Sequence, residues 1–360
     1  MKHVLHIVNK WDQGGVERYI EGLVGVMSGS SVRHAVLSIS TPVATSASLD
    51  TYGPLAVEGG YRSLLMGAFR LRPFLEEHSF DIVHIHASNA SCYLYAYVAE
   101  CCGVSTRIVH SHSSAMAFEK SITKRALNAI LTKGYSGHET LRISCSTEAA
   151  QALFGDKNSL IIPNGIELDR FAYSCTARRQ LRKDLNIEDG CFVLLCVGSL
   201  FEVKNHIRAI RIFELLSHVR EDSVLVIVGG GPLRPLLEAD VARRGLDSRV
   251  VFTGFVEDVS RWYSFGDALL FPSLYEGFPI TLVEAQANGL PVVCSDTITR
   301  EVALLDNCKY VSLEESDEQW VETLISSSRI PAEDAISEVR SRGFDRETAI
   351  REVEVAYGIH

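Results

Sequence analysis

The sequence predicts an α/β protein made of two doubly wound parallel-sheet domains, and three observations carry that prediction. Short apolar runs of strand character alternate with stretches of helical apolar spacing through both halves of the 360-residue chain. The alternation lapses into a polar, charged segment over 167–190 and restarts at Cys191. Glycine turns follow the opening strand of each half, at Gly14-Gly15 and at Gly198. A chain of this length can bury two cores. The expected division is 1–170, 171–343 and a last helical segment, 344–360, that crosses back onto the first domain.

In the first half, residues 2–8 read as a strand, and Val16, Ile20, Leu23 and Val24 give the spacing of a helix after the glycine pair. Glycines there let a ligand approach the backbone and leave helix N–H groups for a phosphate, although a plain tight turn has the same signature. A strand near 34–39 precedes a small-residue stretch over 40–60, read as a surface loop, and a helix near 63–77 follows. The strand 81–85 ends in His84-Ile85-His86, and the strand 107–109 ends in His110-Ser111-His112-Ser113. Parallel sheets bind ligands beyond the carboxyl ends of their strands, where both histidine pairs fall. Residues 115–131 can form a helix with Lys120, Lys124 and Arg125 along one face, and the span 104–145 carries a net +4. This is either an anionic-membrane contact or a solvated helix face.

The second half opens with the strand Cys191 to Val197 and the loop Gly198-Ser199 to Lys204-Asn205, where Asn205 is expected to cap a helix. Lys204, beyond a strand and beside a helix start, is placed as a point charge for a diphosphate. The next strand, 224–228, leads into Gly229-Gly230-Gly231-Pro232, a close-approach turn that lacks the G-K-[ST] of a P-loop. Arg249 to Thr253 leads to Gly254-Phe255-Val256. The strand 268–271 then runs into Glu276-Gly277-Phe278-Pro279, and a helix is expected over 279–288 with Gly289 just past its end. First-turn donors near Phe278, Ile280 and Thr281 favour a phosphate or an oxygen-rich ligand. Glu276 before that helix and Glu284 in its second turn can face one bound molecule, as carboxylates that accept hydroxyls.

Composition excludes several classes. A net charge of −10 with no long basic block argues against nucleic-acid binding. No apolar run reaches the length of a membrane span, and the N-terminus lacks a signal-peptide core. Nine cysteines without a C-x-x-C pair point to a reduced, cytoplasmic compartment with buried thiols and give little support for zinc. The four strand-end histidines lack a carboxylate arrangement that would support a metal.

Glu276-Gly277-Phe278-Pro279 with Glu284 resembles the E-x7-E motif of the retaining glycosyltransferases of family 4, which have the GT-B fold. The Gly14-Gly15-Val16-Glu17 loop, Pro163-Asn164-Gly165-Ile166-Glu167 and the Gly198 to Asn205 segment are similar to further segments of that family. One departure is Ser199, where many members carry arginine, unless Arg18 or another cation compensates. The His110-Ser111-His112, Lys204-Asn205-His206 and Ser295-Asp296-Thr297 combination looks most like bacterial capsule and exopolysaccharide enzymes.

This resemblance implies two Rossmann-like domains facing an interdomain cleft. It further implies transfer of a sugar, with retention, from a nucleotide-sugar donor, a UDP-sugar by preference, to a lipid-linked glycan hydroxyl, with no cofactor and no metal. Catalysis would fall to His112, Lys204 and Glu276. The donor would meet Gly14, Gly15, Ser199, Lys204, Gly231, Val256, Glu276, Gly277, Phe278, Pro279, Ile280, Thr281 and Glu284. His86, His110, Lys120 and Lys124 would lie on the acceptor side. No nucleic acid is expected as a partner, and the expected location is cytoplasmic, with peripheral contact at the inner face of the membrane. The rival is a catalytically silent nucleotide-sugar-binding subunit of a polysaccharide assembly complex, favoured by Ser199.

Overall fold

The computed structural model describes residues 1–11, 15–27, 32–43, 49–56, 60–87, 89–112, 121–155 and 157–359. The chain separates into two compact units, Met1–Gly165 with Arg346–His360, and Ile166–Asp345. The expected division at 170 and 343 differs from this by a few residues. Ile166, Leu168 and Phe171 are buried in the second unit's core, and Ile166 N donates to Phe344 O within that unit.

The first unit holds a seven-stranded sheet of β1 (Lys2–Val8), β2 (Val32–Ser38), β3 (Asp50–Tyr52), β4 (Ile82–Ala87), β5 (Thr106–Ser111), β6 (Leu141–Ser144) and β7 (Leu160–Ile161). Its order is β3-β2-β1-β4-β5-β6-β7, with every pairing parallel. Both faces are buried, as parallel sheets require. Leu5, Ile7, Val83 and Ile85 pack on one side with the helix Ser91–Cys101. Val4, Val8, Ile82 and Ile108 pack on the other with Ile20 and Leu23 of the helix Gly15–Val26, and with Ile350 and Val353 of the helix Arg346–Ala356.

The second unit holds six parallel strands, β8 (Phe192–Val197), β9 (Ser223–Val228), β10 (Val250–Gly254), β11 (Ala268–Phe271), β12 (Val292–Ser295) and β13 (Cys308–Val311). The order β10-β9-β8-β11-β12-β13 reverses between β8 and β11. Each unit is therefore a Rossmann-like doubly wound sheet, and the reversal opens a crevice at the strand ends.

Several expectations are corrected. The segment 167–190 is not a linker but carries the helices Leu168–Phe171 and Cys175–Asp184, because Phe171 and Leu181 join the core. Arg178 and Arg182 of the second helix both pair with Asp267. The stretch read as a loop over 40–60 contains β3, whose pairing with β2 places it at the sheet edge. The basic helix begins at Ile122, where Ser121 Oγ accepts from Lys124 N as its cap; Lys120 lies outside the described residues. All nine cysteines are free, but Cys101 and Cys175 are exposed rather than buried.

Candidate active site

Two loops meet where the second sheet reverses. The first leaves β8 through Gly198 and ends in a 3-10 turn, Glu202–Lys204, before the helix His206–Val219. The second leaves β11 and leads to the helix Ile280–Ala287. Three bonds lace them together: Asn205 Nδ2 donates to Pro272 O at 3.1 Å, Leu274 N donates to Val203 O at 2.8 Å, and Lys204 Nζ donates to Glu276 Oε1 at 2.7 Å. Asn205 therefore does not cap its helix by its side chain, as its spacing suggests; it takes a left-handed backbone, φ 55°, and spends its amide on the neighbouring loop.

Lys204 and Glu276 are largely enclosed, with side chains 18% and 12% exposed, and Nζ also lies 5.0 Å from the Phe271 ring centroid. Burial makes this pair an exchangeable one. An arriving anion can take the ammonium only by giving Glu276 a new donor in return, and a sugar hydroxyl is such a donor. Behind the second loop, Ser295 Oγ and Thr297 Oγ1 both donate to Ser273 O, at 2.6 and 3.1 Å. The Ser295-Asp296-Thr297 segment thus holds the Glu276 loop from beneath.

The helix Ile280–Ala287 starts at Pro279, whose carbonyl accepts from Leu282 N at 3.0 Å; among the described residues no side chain caps it, which leaves the N–H groups of Ile280 and Thr281 without an intrahelical partner. Thr281 and Glu284 are half-buried on this helix. The Tyr263 hydroxyl donates to Glu284 Oε2 at 2.6 Å, and Tyr263 is itself fully buried. Tyr263 was not visible in the sequence as a site residue, because its helix, Ser260–Phe265, reads only as a short apolar stretch.

The glycine turn 229–231 packs against the Lys204 loop. A Cβ on Gly229, φ 139°, would sit 2.0 Å from Gly198 O, and one on Gly231 would sit 2.7 Å from Leu200 O. Close approach of two backbones accounts for both glycines. Val256 is half-buried against the core and Phe255 is 83% exposed. Ser199 is half-buried, and Arg18 lies exposed on the helix Gly15–Val26. Gly14 lies outside the described residues, and Gly15 begins that helix.

In the first unit the strand-end histidines belong to a larger layer. Parallel register brings His6 of β1 beside His84 of β4, and His86 beside His110 of β5. The rings form a hydrogen-bonded chain: His34 Nδ1 to His6 Nε2 at 3.0 Å, His6 Nδ1 to His86 Nε2 at 3.0 Å, His86 Nδ1 to His112 Nε2 at 2.8 Å, and His112 Nδ1 to Asn164 Oδ1 at 3.3 Å. A branch runs from His110 Nδ1 to His84 Nε2 at 3.2 Å and from His84 Nδ1 to the Tyr357 hydroxyl at 2.6 Å. Burial holds His6, His84, His86 and His110 well below the usual imidazole range and brings His112 down to about 4, so the rings are neutral. His6 and His34 escape sequence reading because only strand order brings His6 alongside His86 and His34 alongside His6.

Comparison with known proteins decides the family. The model of the Glycosyltransferase Family 4 domain matches residues 13–170, and that of Glycosyl transferases group 1 matches residues 177–336. The chain belongs to the family 4 glycosyltransferases. Its relatives include the candidate glycosyltransferase EpsF of Bacillus subtilis, 28% identical over 99% of this chain and 97% of the relative. The UDP-Gal:alpha-D-GlcNAc-diphosphoundecaprenol alpha-1,3-galactosyltransferase of Escherichia coli is 29% identical over 63% of this chain and 60% of the relative. Among solved structures, HepE of Anabaena in complex with UDP-glucose superposes with a TM-score of 0.78 at 18% identity, covering 99% of this chain and 100% of that one. WaaG, a glycosyltransferase involved in lipopolysaccharide biosynthesis, gives 0.76 at 20% identity, with 99% and 100% covered. These structures share the fold of two Rossmann-like units found here, and the fold of this glycosyltransferase is GT-B.

Within this glycosyltransferase, Lys204, Glu276, Glu284 and the start of the helix Ile280–Ala287 gather at one strand-end crevice of the second unit. His86, His110 and His112 gather in the histidine layer of the first. Lys124 stands on the helix Ile122–Tyr135, exposed. No helix among the described residues is long and apolar enough to cross a membrane.

Proposed function

We propose that the protein transfers a sugar, with retention of anomeric configuration, from a UDP-sugar to a hydroxyl of a lipid-linked precursor in exopolysaccharide or capsule assembly. The single observation that carries this reading is the Lys204–Glu276 pair set beside Glu284 and an uncapped helix start. In this reading the donor's diphosphate takes Lys204 from Glu276, and the N–H groups near Phe278, Ile280 and Thr281 take further phosphate oxygens. Leaving-group stabilisation of this kind dominates when the anomeric carbon becomes cationic. Glu276, released, accepts a hydroxyl of the transferred sugar. Glu284, held by Tyr263, accepts the ribose hydroxyls. His112 offers its loose end, Nδ1, to the sugar in exchange for Asn164. The departing phosphate takes the acceptor's proton, so no protein general base is assigned and the step uses no metal.

The names of the Escherichia coli relative, with its UDP-galactose donor and diphosphoundecaprenol acceptor, and of HepE with UDP-glucose support the donor and acceptor classes. The exposed Lys124, with its neighbour Arg125, supports peripheral contact with the anionic inner face of the membrane. The test is incubation of the full chain with UDP-glucose, UDP-galactose and UDP-N-acetylglucosamine, with and without a polyprenyl-diphosphate sugar. Release of UDP and an α-linked product, seen by the anomeric proton resonance, is expected. A β-linked product would overturn the retaining assignment. Ser199 favours the second reading, a silent binding subunit, which would stand if UDP-sugar bound without any hydrolysis or transfer.

A further inference from the structure

Six buried histidines on one face of one sheet are more than the transfer reaction asks for. Among the described residues, the layer contains two ring nitrogens without a hydrogen-bond partner, His34 Nε2 and His110 Nε2, and the Tyr19 hydroxyl is also buried without one. A buried polar atom left unpaired destabilises the fold, so three in one layer call for a physical account. Among the described residues, two sets of three histidines bring one ring nitrogen each within 4.8 Å of the others: His6, His84 and His86, and His86, His110 and His112. The first set has nothing to spare. Both nitrogens of His6 are bonded within the chain, to His34 and His86, and both of His84 are bonded to Tyr357 and His110. The second set includes the unpaired His110 Nε2 and lies at the carboxyl ends of β4 and β5, where His112 reaches the surface at 9% exposure.

We propose that His86 Nδ1, His112 Nε2 and His110 Nε2 bind a divalent transition metal of the zinc class, in a site that holds the first unit's strand ends together. Imidazole suits such ions, and three histidines leave a fourth position open. The partners already in place supply what metal-bound histidines need at their other nitrogen. His112 Nδ1–H has Asn164 Oδ1, His110 Nδ1–H has His84 Nε2, and His86 Nε2–H has His6 Nδ1. His6 then donates through Nε2 to His34 Nδ1, and His84 through Nδ1 to the Tyr357 oxygen. Every ring stays neutral, so binding requires only that protons shift between the two nitrogens of each ring along the chain. The ion replaces the 2.8 Å contact between His86 and His112 and satisfies His110 Nε2. A tetrahedral ion with metal–nitrogen bonds of about 2.0–2.1 Å holds its ligands about 3.3 Å apart, which asks for small ring rotations. The Tyr19 ring stands edge-on to His110 and His112, at 5.2 and 4.9 Å between centroids, and its buried hydroxyl has no partner among the described residues.

Metal binding is read directly by spectroscopy, so its test needs no transferase activity. Untagged full-length protein, stripped with chelator and passed into metal-free buffer, is titrated with Co2+ and followed by the visible d–d bands of tetrahedral cobalt; Zn2+ is then added. One Co2+ per chain, displaced by Zn2+, is expected. His110→Ala abolishes the bands, Asn164→Ala weakens binding about 10–100-fold as loss of an outer partner does, and His34→Ala leaves one Co2+ bound. His112→Gln serves as a second ligand variant if His110→Ala fails to fold, as judged by circular dichroism. Absence of stoichiometric Co2+ in the wild type, or bands that survive in folded His110→Ala or His112→Gln, overturns the proposal.

Discussion

Lys204 Nζ donates to Glu276 Oε1 across 2.7 Å, and the two residues come from loops that leave the sheet on opposite sides of its reversal point. The pair joins two halves of a crevice that neither loop forms alone. It also sets a condition on the chemistry, because the lysine must change partners before it can serve an anion.

Lys204→Ala should lower kcat by about 10²–10³, the loss typical of removing one donor to a developing anion. Donor affinity should fall less, since the helix N–H groups remain. Steady-state kinetics with varied UDP-sugar separates the two, and a change in KM alone would make Lys204 a simple anchor.

Glu276→Gln keeps the shape of the pair but removes its charge, leaving Lys204 free for the phosphate. Tighter binding of UDP together with slower transfer is expected, because the ammonium no longer exchanges partners. Calorimetric titration of UDP and a turnover assay on the same preparation check the two halves. Weaker UDP binding would sink the exchange described above.

Tyr263→Phe removes the hydroxyl that holds Glu284 and should weaken UDP binding about 5–10-fold, the cost of about 1 kcal/mol for one hydrogen bond. UDP should therefore raise the Tm of the variant less than that of the wild type. The same shift in both proteins would show that Glu284 needs no support from Tyr263.

Much of this architecture is legible in the chain because its signals are local. The strand–loop–helix units around Lys204 and Glu276 announce themselves through apolar runs, glycines and a proline at a helix start. What depends on strand order is not legible. His6 and His34 look like isolated residues inside apolar strands until β1 is placed between β2 and β4. Tyr357 joins His84 only because the helix Arg346–Ala356 returns to the first unit. The segment 167–190 misleads for another reason. Two of its arginines, Arg178 and Arg182, are spent on Asp267 while its other charges face solvent, so polarity there marks the outer face of a docked helix rather than a linker. Asn205 has the composition of a cap, yet its amide finds a better acceptor in Pro272 O on a loop 67 positions away.

His206 should make the protein lose stability as the pH falls. Burial, and secondarily the charge of Lys204, brings its imidazole down to about 4 from the ordinary 6.5, and its Nδ1 is buried without a partner among the described residues. Above pH 6.5 the ring is neutral in both folded and unfolded chains and costs nothing. Between about 6.5 and 4 the unfolded chain takes up a proton that the folded chain refuses, so stability falls throughout that window. The loss amounts to about 2 kcal/mol by pH 5 and about 3 kcal/mol below pH 4. His206→Gln removes this ring and should flatten the pH dependence of unfolding by that amount, while the other buried histidines contribute equally to both proteins. Urea titrations of the two at pH 7 and pH 5 check it. Equal losses in both would mean that His206 is protonated in the folded protein.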